Sequence, residues 1–246
     1  MNPEMENITH ANGAFASSDL LALMRGFSRV LWSIPIGLLL FTGMLDLAIN
    51  RFIRLPTYVI STLLFFWGLM ALYRVRPLSP AWSRYLRLAF VLTLLLIYFS
   101  PFIYWWMRLP FQDHFAINLL ALMLAITWLL WIVNRLAEEV AGAMRDRVFL
   151  IEARLCRWSV LAIILVPLSG YVVYALAMNI VHGMAITHIL QNMRYLPHVH
   201  WMLALILLPM TLTISIAWKA KECALSILKA QADQSTTNAS APGRSG

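Results

Sequence analysis

The chain has 246 residues, of which 61% are hydrophobic and 12% charged, with ten tryptophans and a formal net charge of +8. Soluble domains carry about 25% charged residues, so this composition excludes an ordinary water-soluble fold and calls for lipid as solvent. The positive residues flank apolar runs, which assigns them to membrane orientation and contact with anionic lipid and leaves nucleic acid out of the set of partners.

Residues 1–30 form a mostly polar N-terminal segment. Within it Ser17-Ser18-Asp19 offers an N-cap and a first-turn acid, and Leu20, Leu21, Met24, Phe27 and Leu31 share one broad helical face. That pattern predicts an amphipathic helix lying on the membrane and feeding the first span. Six apolar runs follow, at 31–49, 57–73, 88–106, 115–133, 158–181 and 199–218. Each approaches the ~20 residues needed to cross a ~30 Å hydrocarbon layer, and none alternates as an outer-membrane strand would. No small-residue cleavage motif follows the first run, so 31–49 is retained as a span.

The stretch 135–157 reads as a cytoplasmic amphipathic helix continuing the fourth span. Leu136, Val140, Met144, Val148, Ile151 and Leu155 recur every three or four residues, and Arg135 can pair with Glu139 one turn on. The segment 219–246 is a cytoplasmic tail. From about residue 231 it is rich in Ser, Thr, Ala, Asn and Gly, which predicts disorder.

Lysine and arginine alternate along this order. The N-terminal segment, the second and fourth connections and the tail carry 2, 4, 5 and 4 of them, against 4 in the three intervening connections together. The positive-inside rule then places both termini in the cytoplasm. Trp32, Trp131, Trp158 and Trp218 fall at inner ends and Trp105, Trp106 and Trp201 at outer ends, the headgroup levels that indole prefers. The fold class is therefore all-α, a polytopic six-transmembrane-helix bundle spanning 31–218. Short connections and an excess of arginine over lysine point to a bacterial inner membrane. Cys156 and Cys223 both fall on the reducing side and are read as free thiols.

The same topology gathers polar chemistry at the outer surface. Of six histidines, His114, His182, His188, His198 and His200 map there, close to Asp46 and Asp113. Neutral imidazole is the commonest metal ligand, so His182, His188, His198 and His200 form a candidate set for a divalent metal or haem, with Asp46, Asp113 and His114 as contributors. The paired Glu138-Glu139 and His188-x-x-x-Asn192 share residue types with the CAAX-type intramembrane proteases, but the topology separates them by a bilayer. Catalytic groups must meet within hydrogen-bond reach, so no family and no catalytic residue is assigned.

Six spans with both ends inside allow two inverted halves, and Pro101, Pro167 and Pro209 can kink spans three, five and six. The spans nevertheless lack a polar midplane. The reading that follows is a non-enzymatic membrane subunit or scaffold of an export, secretion or conjugation assembly, whose partners are the lipid bilayer and other membrane proteins. One alternative is a metal- or haem-handling protein using the outer histidines. A second is a small carrier of an apolar or lipid-like substrate, which a membrane-depth cavity lined by spans one, five and six would favour.

Overall fold

The structure, a computed structural model, describes residues 15–41, 54–109, 112–182 and 199–240. All the regular structure in these residues is helical: α1 (Ser17–Phe41), α2 (Arg54–Tyr73), α3 (Pro80–Arg108), α4 (Asp113–Ala143), α5 (Arg147–His182) and α6 (Val199–Ser240). Three of them are long and apolar enough to cross a membrane, over Pro80–Phe102, Leu120–Ala143 and Arg147–Val181, and Ile60–Tyr73 is a shorter apolar helix.

The amphipathic segment and the described part of the first apolar run, through Phe41, are one continuous helix. In α1, Leu20, Leu23, Phe27, Val30, Leu31 and Ile34 recur every three or four residues and are all buried, the stripe expected of a helix packed along one side. That stripe meets α2 at a close crossing. A Cβ on Gly68 would stand 3.0 Å from the carbonyl oxygen of Gly26, and one on Gly26 would stand 3.1 Å from that of Gly68. Only hydrogen fits at either position, as at small-residue crossings in membrane helices generally. Ser61 Oγ donates to the Ser33 carbonyl at 2.7 Å and Arg29 Nη1 to that of Trp67 at 3.3 Å, binding the pair beside the crossing.

Further along, Ser79 caps α3 by accepting from the Trp82 amide at 3.1 Å, and Pro80 occupies the first turn, where its missing N–H costs nothing. Helices α1, α2, α3, α4 and α6 pack in that cyclic order, each against the next and α6 back against α1. Helix α5 sits outside this ring, against α4 and α6. Between α4 and α6 the fully buried Asn134 donates to Thr213 Oγ1 at 2.9 Å, a cross-helix polar contact in an otherwise apolar seam. The core is concentrated toward the arginine-rich end, where Trp82, Leu86, Leu136, Val140, Ala217, Ala220 and Ala224 are buried.

Two expectations are corrected. The segment 135–157 is not one amphipathic helix but the end of α4 and the start of α5, folded back at residues 144–146. The Asp146 amide donates to the Ala141 carbonyl at 3.1 Å and the Arg145 amide to that of Gly142 at 3.2 Å, the paired bonds of a Schellman stop. Arg145 takes the left-handed position at φ 57°, and Asp146 starts α5 by accepting from the Phe149 amide at 3.0 Å. Accordingly Leu136, Val140 and Met144 are buried, whereas Val148, Ile151 and Leu155 are exposed.

The tail, in turn, is helical through Ser240 rather than disordered from about 231. Alanine and glutamine are good helix formers, and Gln231 is held at both ends of its amide. Its Nε2 donates to the Phe15 carbonyl at 3.2 Å and its Oε1 accepts from Ser17 Oγ at 3.0 Å, tying α6 to the start of α1.

Candidate functional site

Most of the outer-end polar set is beyond the reach of side-chain geometry. Asp46, His188 and His198 lie outside the described residues. Asp113 opens α4, His182 closes α5 and His200 stands in the first turn of α6, each placed by its backbone. His114 is described in full. Its Nε2 lies 3.2 Å from Asn118 Nδ2, which also donates to the His114 carbonyl at 2.7 Å. With its proton on Nδ1 the ring accepts from that amide, and Phe102 and Phe115 contact it edge-on with centroids at 5.6 and 5.7 Å. Among the described residues no three His, Cys, Asp or Glu side chains stand together as metal ligands.

The strongest concentration of charge lies at the opposite end, around a carboxylate the sequence did not single out as a centre. Glu138 is 4% exposed and faces three guanidinium groups. Arg135 Nη1 and Arg157 Nη1 each lie 2.8 Å from its Oε2, and Arg154 Nε lies 3.2 Å from Oε1. Arg135 also pairs with Glu139 at 2.8 Å, the one-turn pairing expected from spacing. Aromatic faces complete the enclosure: the Arg135 guanidinium lies over Tyr85 at 5.6 Å, and that of Arg157 lies over Trp131 at 5.7 Å and Trp158 at 5.3 Å. The turn at 144–146 explains the convergence, since Glu138 and Arg154 stand eight residues either side of Asp146 and an antiparallel hairpin brings them level. Both members of the Glu138-Glu139 pair are thus engaged with arginine. The arrangement is a structural clasp between α4 and α5.

Just beyond this clasp Cys223 approaches the helix-capping carboxylate, with Sγ 4.0 Å from Asp146 Oδ2. Burial, reinforced by that carboxylate, pushes the Cys223 thiol up to about 11. The neutral thiol is the form this surrounding favours, which removes it from nucleophilic chemistry near neutral pH. Lys219 pairs with Glu152 close by, joining α6 to α5.

A partly enclosed cavity of about 160 Å³ lies within the ring of helices on the other side of the clasp. Its walls come from α1, α2, α3, α4 and α6, and α5 contributes nothing. The set of helices differs from the one expected for an apolar carrier, which included span five. The reason is that α5 packs on the outside of the ring. Leu38, Phe65, Leu96, Met123, Ile126 and Met210 represent the lining, which is apolar except for four hydroxyl residues. Ser33, Ser61 and Ser100 donate to the carbonyls of Val30, Ser33 and Ile97 at 2.6, 2.7 and 2.9 Å, and Thr62 also has a partner. These serine donors are therefore turned to backbone, away from any guest.

Comparison with known proteins adds no relative: no family model, no curated protein and no solved structure matches the chain.

Proposed function

We propose that the chain is a six-span, non-enzymatic subunit of a larger membrane assembly, with both termini in the cytoplasm of a bacterial inner membrane. The observation that carries this reading is the state of α5. In the most apolar window of α4 56% of residues are buried, against 7% in α5. From Leu161 to Val181 no described side chain is buried, and Val166, Val172, Tyr174 and Val181, which point to different sides of the helix, are 41–70% exposed.

Lipid tails are as apolar as valine, so a span gains little by packing unless its surface fits a neighbour. A helix held near its base by Glu138, by the Glu152–Lys219 pair and by the packing of Val160 and Ile164 leaves more than four turns free for a neighbouring subunit. The absence of a polar midplane and the commitment of Glu138 and Glu139 to arginine both favour a role in assembly over catalysis.

Single cysteines at Val173 or Ile180, cross-linked in native membranes, should trap α5 against a different membrane protein of defined mass, while Val148→Cys at its base should not. Purification as a monomer, together with unaided movement of a solute by reconstituted vesicles, overturns the reading.

A further inference from the structure

The depth of the cavity identifies its guest. Phe65 to Ser61 lie nine to thirteen residues from Arg74, Leu96 to Ser100 nine to thirteen from Arg87, Leu130 to Leu122 five to thirteen from Arg135, and Ser33 to Leu38 four to nine from Arg29. Met210 lies nine from Lys219. At the helical rise these spacings are about 6–20 Å, and the middle of a ~30 Å hydrocarbon layer lies about 15 Å from its edge. The void thus extends from the arginine-rich side to mid-depth, where residues of α2, α3, α4 and α6 line it.

The walls open there for a reason the sequence carries. Pro35, Pro101 and Pro209 interrupt α1, α3 and α6 next to the lining residues Ile34, Ser100 and Met210, whereas Pro167 belongs to α5, which does not line the cavity. A proline within a helix removes one backbone bond and displaces its own turn from the preceding one, so each of these three walls is loosened beside the cavity. The carbonyl of Ile97, left without its amide partner by Pro101, is taken by Ser100 Oγ. The hydroxyls of Ser33, Ser61 and Ser100 thus all donate to backbone and offer no donor to water, and voids of this character stay dry.

We infer that this cavity is a binding site for the terminal segment of a lipid acyl chain. A dry cavity of ~150 Å³ holds a guest of benzene size, so one of this volume takes on the order of six carbon atoms. Acyl-chain ends are what a bilayer presents at its middle, and a methyl-terminated segment satisfies a lining without available donors. The site rests on the chain being embedded in a membrane and is independent of the assembly role proposed for α5.

The test uses the full chain in nanodiscs made with phosphatidylcholine whose acyl chain carries a photoreactive diazirine at its terminal carbon, compared with the same lipid bearing the diazirine near the headgroup. The terminal probe should label Met123 and Met210, and the headgroup-proximal probe should not. Met123→Trp should abolish labelling at Met210, and Met210→Trp should abolish it at Met123, while Leu94, on the outward face of α3, keeps its label in both. Labelling of Leu94 without Met123 and Met210, or labelling of the two methionines that survives both fillings, overturns the site and leaves the membrane reading standing. Failure to label even Leu94 overturns both.

Discussion

The two ends of this bundle solve opposite problems with the same helices. At the arginine-rich end a buried carboxylate, three guanidinium groups and a stripe of alanines on α6 bring α4, α5 and α6 into close contact. Some nine residues further along, the ring has parted around a void and α5 has lost its neighbours. The difference shows where the fold is specified: at the level where charges must be paired, not where lipid would do equally well as a neighbour.

The clasp offers the largest way to break that contrast. Glu138→Ala leaves three arginines facing one another without an anion in a buried setting, and loss of one partner from a buried ion pair typically costs about 3–5 kcal/mol. Thermal unfolding in detergent should show a large loss for Glu138→Ala. Glu139→Ala, which removes a single ion pair from a carboxylate at 15% exposure, should lose far less. Equal losses would mean that the clasp does not organise the hinge.

Next in size is the chemistry of Cys223. With its thiol raised from 9.0 to about 11, the thiolate fraction at pH 8 falls about a hundredfold below that of an unperturbed cysteine. Alkylation in the folded protein should be slower by that factor and should accelerate only as the pH approaches 11. Ionisation is favoured in the unfolded chain from about pH 9, so stability declines between these two values and Cys223→Ser removes that decline. Rapid alkylation at pH 8 would place the thiol outside the packed end.

The α1–α2 crossing extends the comparison to the other side of the ring. Gly68→Leu must push α1 away, because even a Cβ would stand 3.0 Å from a backbone oxygen, and overpacking of this kind costs about 1–3 kcal/mol. Gly142→Leu, with nothing within 4 Å of its Cβ position, is the control that should leave the melting temperature nearly unchanged.

What was legible in the sequence followed from spacing along one helix. The apolar runs, the α1 stripe and the Arg135–Glu139 pair each need only the helical repeat. The Glu138 clasp was not legible in that way, because it depends on a hairpin whose stop residue is Arg145 where glycine is usual, and an apolar period of three to four ran straight through it. The crossing at Gly26 and Gly68 and the cavity depend on which helices are neighbours and at what register, which no single run encodes. Prolines 101 and 209 were visible, but that both stand beside one cavity emerges only when the helices are laid side by side. Tail composition suggested disorder because it lacks apolar residues, yet its alanines and glutamines continue a helix already anchored through Gln231.

Arg145 supplies a gain instead of a loss. A left-handed conformation costs an ordinary residue roughly 1–2 kcal/mol, and glycine avoids that cost while losing more freedom on folding, so Arg145→Gly should stabilise the hairpin by about 1 kcal/mol. A higher melting temperature for Arg145→Gly, and a lower one for Arg145→Val, would show that the turn is strained in the way its φ indicates.

The smallest expected effect is also the sharpest test of the difference between the ends. Val173→Ala and Leu176→Ala remove methyl groups from exposed positions and should change stability in detergent by less than about 0.5 kcal/mol. Leu136→Ala, which removes the same kind of atoms from a fully buried position, should cost about 2–5 kcal/mol. If the α5 substitutions proved costly in the isolated chain, the bare half of α5 would already be packed within the molecule, and its surface would no longer be free for another subunit. If they were silent in detergent but lowered thermal stability in native membranes, the missing contacts would belong to the assembly.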